Sequence, residues 1–309
     1  MNVPEADIRR YQHRAMATIF EVVIAGEDAT FAAGASHAAF EEIDHLEQDL
    51  SRHLPNSDIS RINNLRPGES VRVAAHTFEC LRLSRQFHAE TGGAFDVATG
   101  ALKDFWTLGV KPPDLPTGDG IERSSRESLM SVLELDETEM SVRVQGRAPL
   151  LDLGAIGKGF AVDRAAALLA EWGVGSALVH GGTSSAYAFG SCPGSTGWPV
   201  TISNPVPPGD VIEKAYLKDQ GLGGSGIRKG RHIIDPRTGV PVQQRRASWV
   251  LYGSATRSDA LSTACMIMTP EEIDGLIARD RDLRVIIVDE APFRVLRFSP
   301  GGPAGGVSA

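Results

Sequence analysis

Apolar residues return along this chain with two different periods. Phe40, Ile43, Leu46 and Leu50 recur at three- and four-residue spacing while Glu41, Glu42, Glu47 and Gln48 fall on the other side, the pattern of a helix with one buried face. Residues 18–24 form a β-branched, apolar run, which predicts a first strand. A second helix is predicted over 78–89, stopping near Gly92 and Gly93, where glycine tolerates the left-handed geometry of a helix end. Further along, the pattern predicts a strand ending near Leu153, a helix over 160–172 and a strand over 176–180. Short strands follow over 200–203, 231–234 and 248–252, then helices over 259–268 and 270–278, then closing strands over 284–288 and 294–298.

Helices and strands are mixed without a regular βα repeat, so the expected fold class is α+β, with mixed or antiparallel sheets layered against helices. Residues 1–15 read as an N-terminal extension, 16–299 as one domain with an exposed Pro-, Gly-, Asp- and Ser-rich connection over 112–125, and 300–309 as a disordered tail.

Composition narrows the function more than the fold. The chain has 309 residues and a net charge of −8 spread along its length, with no basic block to neutralise a phosphate backbone, so nucleic acid is excluded as an expected partner. No apolar run approaches the ~20 residues of a membrane span, and no apolar segment precedes Arg9 and Arg10, so the chain as written reads as cytoplasmic. Cys80, Cys192 and Cys265 lack close CxxC pairing and read as buried thiols.

Four segments could carry chemistry. The run from Asp152 to Asp163 (DLGAIGKGFAVD) joins a strand to a helix, where backbone N–H groups and the helix dipole can hold phosphate. Its spacing is neither a Walker A loop nor a dinucleotide fingerprint, and on these residues alone a purely structural glycine turn is the leading reading. Asp259 and Thr263 lie one helical turn apart, so their oxygens share a face and could hold a hard cation; the competing reading is a capping box over 256–259 with Thr263 bonded to its own helix. His232 ends a predicted strand before the Pro236–Gly239 turn and could act as an acid or base near neutral pH, or be an ordinary half-buried histidine. Gly181 and Gly182 end another strand and either admit a ligand close to the backbone or only make a tight turn.

Taken together and in order, these segments resemble the ApbE family of FAD:protein FMN transferases over residues 16 to about 298. The family's Met-Gly-Thr looks like Met16-Ala17-Thr18, and its Ser-rich turn like residues 50–63. Its Gly-Ala-Phe-Asp stands at 93–96, its Asp-Leu-Gly-x-x-x-Lys-Gly at 152–159, and its Gly-Gly at 181–182. Its His-x-Ile-Asp-Pro-x-Thr-Gly stands at 232–239, and its Ala-Asp-Ala-x-x-Thr at 258–263. The resemblance implies magnesium (Mg2+) held by Asp259, Thr263 and the Ala155 carbonyl, with Ser262 close by. It implies FAD as substrate, contacted by Met16, the Ala94, Phe95 and Asp96 loop, Asp152, Lys158, Ile233 and the Gly181-Gly182 pair, with His53 where the family places an aromatic ring.

His232 is then the implied acid-base residue, with Asp259 the alternative, and the implied partner is an acceptor flavoprotein offering a Ser or Thr hydroxyl for FMN, with AMP released. The sequence departs from the family at Ala17, His53 and Thr183, and over the short basic segment 223–230. Two other readings stay open: a magnesium-dependent FAD pyrophosphatase using water as acceptor, and a non-catalytic FAD-binding paralogue.

Overall fold

The computed structural model describes residues 8–109, 129–146, 148–205, 208–230, 232–290, 293–301 and 306–308. The predicted connection over 112–125 lies outside the described residues. Strands β1 (Ile8–Ala15) and β2 (Thr18–Ala25) form a hairpin whose two-residue turn is Met16-Ala17. Both turn residues have positive φ, 48° and 55°, because a two-residue hairpin needs the left-handed region to match strand twist. Residues 8–15 form an edge strand; their alternation of exposed and intermediate positions suits an edge better than a core, which is why the pattern hid the strand.

The long helix α1 (Ala29–Leu50) follows. The Asp28 side chain caps it, accepting from the N–H groups of Thr30 and Phe31, and Phe40, Ile43, Leu46 and Leu50 all turn inward as predicted. Next come α2 (Asp58–Asn63), β3 (Ser70–Arg72), α3 (Ala75–Glu90) and α4 (Gly100–Leu108). Strands β4 (Leu133–Asp136) and β5 (Ser141–Val144) join β3 in a three-stranded sheet of order β3-β5-β4. No strand ends near Leu153. There the backbone bonds outside any ladder: Leu151 N–H donates to the Asn63 side chain and Asp152 N–H to the Val97 carbonyl.

Helix α5 (Gly157–Glu171) leads into β6 (Ala177–Gly181), β7 (Ser185–Phe189), the hairpin β8 (Trp198–Pro205) and β9 (Pro208–Leu217), and β10 (Gln220–Gly226). Two-residue strands β11 (Ile234–Asp235) and β12 (Val240–Pro241) bracket the Pro236 turn. The strand expected over 231–234 is thus shorter and later, as a tight hairpin leaves room for two paired positions only. The chain closes through β13 (Arg245–Tyr252), α6 (Ala255–Cys265), α7 (Pro270–Arg279), β14 (Arg284–Asp289), β15 (Arg294–Phe298) and β16 (Gly306–Ser308). β16 pairs with β15, so this part of the expected disordered tail is a strand.

Among the described residues nine strands form one antiparallel sheet, β1-β2-β6-β7-β10-β13-β14-β15-β16. Helices α1, α5 and α6 cover one face over a core that includes Phe20, Ile43, Leu46, Leu169, Val179 and Val250. The β8-β9 hairpin covers part of the other over Val23, Ala188, Trp198, Ile202 and Leu217. The molecule is α+β, as expected. Among the described residues no helix is long and apolar enough to cross a membrane. Cys80 and Cys265 are buried, but Cys192 is only half-buried.

Candidate functional site

Helix α6 carries the centre of the site and lies unusually close to its neighbours. A Cβ on Gly223 of β10 would stand 2.1 Å from the Ser258 carbonyl, and one on Gly159 of α5 would stand 2.4 Å from the Ala255 carbonyl. Only glycine permits that approach. The start of α6 is fixed by Ser254, whose hydroxyl accepts from Arg257 N–H, and by the Asp163 carboxylate, which accepts from the N–H groups of Ala255 and Thr256 at 2.8 Å each. The helix therefore begins before Thr256, and residues 256–259 are not a capping box. Asp259 sits more than one turn inside it.

There the Asp259 side chain is 3% exposed. One oxygen accepts from Gly159 N–H at 3.0 Å, and the Lys158 ammonium stands 3.7 Å from the same oxygen. Burial pushes the Asp259 pKa up, against the pull of Lys158, the Gly159 N–H and the Ser185 hydroxyl. Lys158 also donates to the Gly154 carbonyl at 3.1 Å. One turn on, Thr263 Oγ1 is 2.9 Å from Ser225 Oγ, which is 2.8 Å from Ser262 Oγ. The back-bond from Thr263 to the Asp259 carbonyl is 3.5 Å, too long to be the main partner of that hydroxyl.

Ala155 lies in the short 3-10 turn Leu153–Ala155, which leads directly into α5. The N-cap residue Ile156 makes no side-chain cap bond and Gly159 N–H is taken by Asp259, so the start of α5 sets the positive end of its dipole beside Lys158. A carboxylate, a hydroxyl and a nearby peptide carbonyl are all hard oxygen donors. Among the described residues no cluster of three or more His, Cys, Asp or Glu could hold a metal, so a zinc-type ligand set is not found. A single buried carboxylate suits a hard divalent cation that completes its shell with water and substrate phosphate oxygens.

Asp152, at the head of this turn, is held by residues the sequence pattern did not mark. Its carboxylate meets Arg52 Nε at 2.9 Å and Lys103 Nζ at 2.8 Å, and accepts from Gly154 N–H at 2.8 Å. Arg52 also binds Asp104 through two nitrogens, at 2.6 and 3.0 Å. Burial works against the Asp152 charge, yet Lys103, Arg52 and the Gly154 N–H together hold its pKa below the usual carboxylate value. This lattice ties three segments into one wall: the exposed His53 turn, helix α4 and the turn at Leu153–Ala155. A charge beside His53 was the only local signal, and Arg52 and Lys103 lie 51 positions apart, beyond any sequence periodicity.

The other predicted residues gather around the same end of the sheet. Met16 packs on the helical-face core, and the hairpin it turns abuts Gly181 and Gly182: Gly182 N–H donates to the Ile19 carbonyl at 2.8 Å, and a Cβ on Gly182 would stand 2.5 Å from Thr18 Oγ1. Ala94, Phe95 and Asp96 are buried, and His88 Nδ1 donates to the Phe95 carbonyl at 2.9 Å. Asp96 accepts from Ala98 N–H, and burial raises its pKa against that bond and the nearby His88. The 232–239 segment comes beside this loop, with Arg237 Cγ 3.8 Å from where a Gly93 Cβ would lie, and Trp106 Nε1 donates to the Gly239 carbonyl at 2.9 Å. Ile233 is buried, and His232 is half-buried with Nδ1 3.0 Å from the Gly230 carbonyl. A shallow cavity lined by His180, Gly182, Thr183, Leu222 and Trp249 opens at this end.

The chain resembles known proteins over most of its length. The model of the ApbE family matches residues 16–287. Among curated relatives, an FAD:protein FMN transferase of Chlamydia trachomatis is 30% identical over 234 residues, 72% of each chain. Another of the same name from Chlamydia muridarum is 27% identical over 260 residues, 80% of each. The apo form of the flavinyl transferase ApbE of Pseudomonas stutzeri superposes with a TM-score of 0.81 at 24% identity over 97% of both chains. The flavin transferase ApbE of Vibrio cholerae gives 0.82 at 22% identity, covering 96% of this chain and 98% of that one.

Proposed function

The chain belongs to the ApbE family, and from that premise we propose that it is a magnesium-dependent FAD:protein FMN transferase, moving FMN from FAD to a Ser or Thr hydroxyl of an acceptor flavoprotein and releasing AMP. One observation carries the reading: a buried carboxylate, Asp259, accepts from Gly159 N–H in the first turn of α5 and faces Lys158, a corner where a cation and the helix dipole favour concentrated negative charge. Asp259, Thr263 and the Ala155 carbonyl are the donors for magnesium, which when bound supplies positive charge to the diphosphate.

The chain's own residues do the rest. Lys158 and the first N–H groups of α5 orient the diphosphate and stabilise the charge that builds on its oxygens. The lattice of Arg52, Lys103, Asp104 and Asp152 fixes the turn that presents them. His232 Nδ1–H donates to the Gly230 carbonyl, which orients the ring, and its Nε2 is the candidate proton acceptor. The acceptor hydroxyl loses its proton to that nitrogen as its oxygen bonds to the riboflavin-side phosphorus. The bond from that phosphorus to the bridging oxygen breaks, and AMP leaves with the oxygen.

The test incubates the protein with FAD and magnesium, with and without a candidate flavoprotein, and follows AMP and protein-bound flavin fluorescence. AMP that appears only with the acceptor, in step with covalent flavin, is expected. AMP formed at the same rate without any acceptor identifies a pyrophosphatase, and no AMP under any metal identifies a binding paralogue.

A further inference from the structure

The hydroxyl of Thr263 can serve a cation only if its own proton points elsewhere, because a hydroxyl oxygen ligates through a lone pair. The distances around it fix that direction. Ser262 is fully buried, so its O–H needs an acceptor, and the Asp259 carbonyl oxygen stands 2.8 Å away. Ser262 Oγ is then the acceptor for Ser225, 2.8 Å distant. With its proton directed there, Ser225 Oγ receives the proton of Thr263 at 2.9 Å. The reverse order would leave Thr263 donating across 3.5 Å to the Asp259 carbonyl, and would press Ser262 Oγ against that carbonyl at 2.8 Å with no proton between them.

The chain of donation therefore runs from Thr263 to Ser225 to Ser262 to the Asp259 carbonyl. We infer that Ser225 is a positioning residue which, through Ser262, turns the lone pairs of Thr263 Oγ1 outward to the divalent cation; this rests on the magnesium reading above. Ser225 can reach α6 because Gly223, two residues earlier on the same face of β10, lets the helix lie against the strand. The hydroxyls thus act as one relay with a single direction, and removal of either serine frees Thr263 to rotate or makes it the acceptor of the neighbouring proton.

The experiment titrates the full chain with Mn2+ as probe, free aquo-Mn2+ being read by electron paramagnetic resonance, beside thermal melts of every variant. Ser225→Ala and Ser262→Ala are each expected to weaken Mn2+ binding roughly 10-fold or more, as loss of an orienting partner does. The double variant should bind no worse than Ser225→Ala, because the two act in series, and Ser225→Thr should regain affinity. Wild-type Mn2+ affinity in both single variants, or fully additive losses in the double, overturns the inference. If Ser225→Ala does not fold, Ser262→Ala decides alone by the same criterion. Wild-type affinity in Asp259→Asn and Thr263→Ala would instead sink the metal reading, and this inference with it.

Discussion

The Lys158 ammonium stands 3.7 Å from the Asp259 carboxylate while donating to the Gly154 carbonyl at 3.1 Å. The two residues lie 101 positions apart and meet because α5 and α6 pack through Gly159. A lysine in that position partly offsets a buried negative charge, and under the proposed function it offers the same charge to an incoming phosphate.

Asp259 should be costly to stability at neutral pH. Burial raises its folded pKa above the unfolded value of 3.8, so its favourable contribution is present below that value and is lost as pH rises through the folded pKa. Asp259→Asn is therefore expected to melt higher than wild type at pH 7, with the gain vanishing near pH 3.5. The same variant should lose transfer activity by roughly 100-fold or more. Melting curves across pH, beside AMP release, check both halves, and a lower melting temperature at pH 7 would refute the first.

Arg52→Gln leaves Asp104 and Asp152 short of a shared cation. Because Arg52 now helps hold the Asp152 pKa down, stability from that carboxylate is present above 3.8 and is lost as pH falls through the depressed value. The variant is expected to lose on the order of 2 kcal/mol at pH 7, with the deficit shrinking in acid. Its KM for FAD should rise as the His53 turn loosens from α4. Denaturant titration and steady-state kinetics supply the two readings.

Gly223→Ala forces a methyl group into the Ser258 carbonyl, and backbone cannot yield as a flexible side chain can. A loss of about 1–3 kcal/mol is expected. Displacement of α6 should also weaken Mn2+ binding, whereas Gly253→Ala, with open space around it, should do neither.

Ala17→Gly addresses the departure from the family's Met-Gly-Thr. Ala17 holds φ of 55°, where a Cβ is strained, so glycine is expected to stabilise the hairpin by up to about 1 kcal/mol. A melting temperature below that of wild type would contradict this.

The thiols should separate cleanly on labelling with a thiol reagent at pH 8. Burial pushes Cys265 up to about 12 and raises Cys80 further, so both should stay unmodified while the protein is folded, and half-buried Cys192 should react. Mass spectrometry before and after denaturation gives the site of each adduct.

The local features of this protein are legible in its residues alone. The spacing of Phe40, Ile43, Leu46 and Leu50 dictated the buried face of α1, and the ordered blocks from Met16 to Thr263 announced the family. Both signals are carried by near neighbours in the chain, where period and turn chemistry act directly. The sequence missed β1, because an edge strand buries too little to leave a pattern, and it left a capping box open over 256–259 until Asp163, from α5, was seen to cap α6. Packing alone buries Asp259, joins Arg52 and Lys103 at Asp152, and brings Ser225 within 2.9 Å of Thr263. Those relations join residues tens of positions apart, through glycine-permitted contacts and charge pairs that exist only once the sheet and helices have packed.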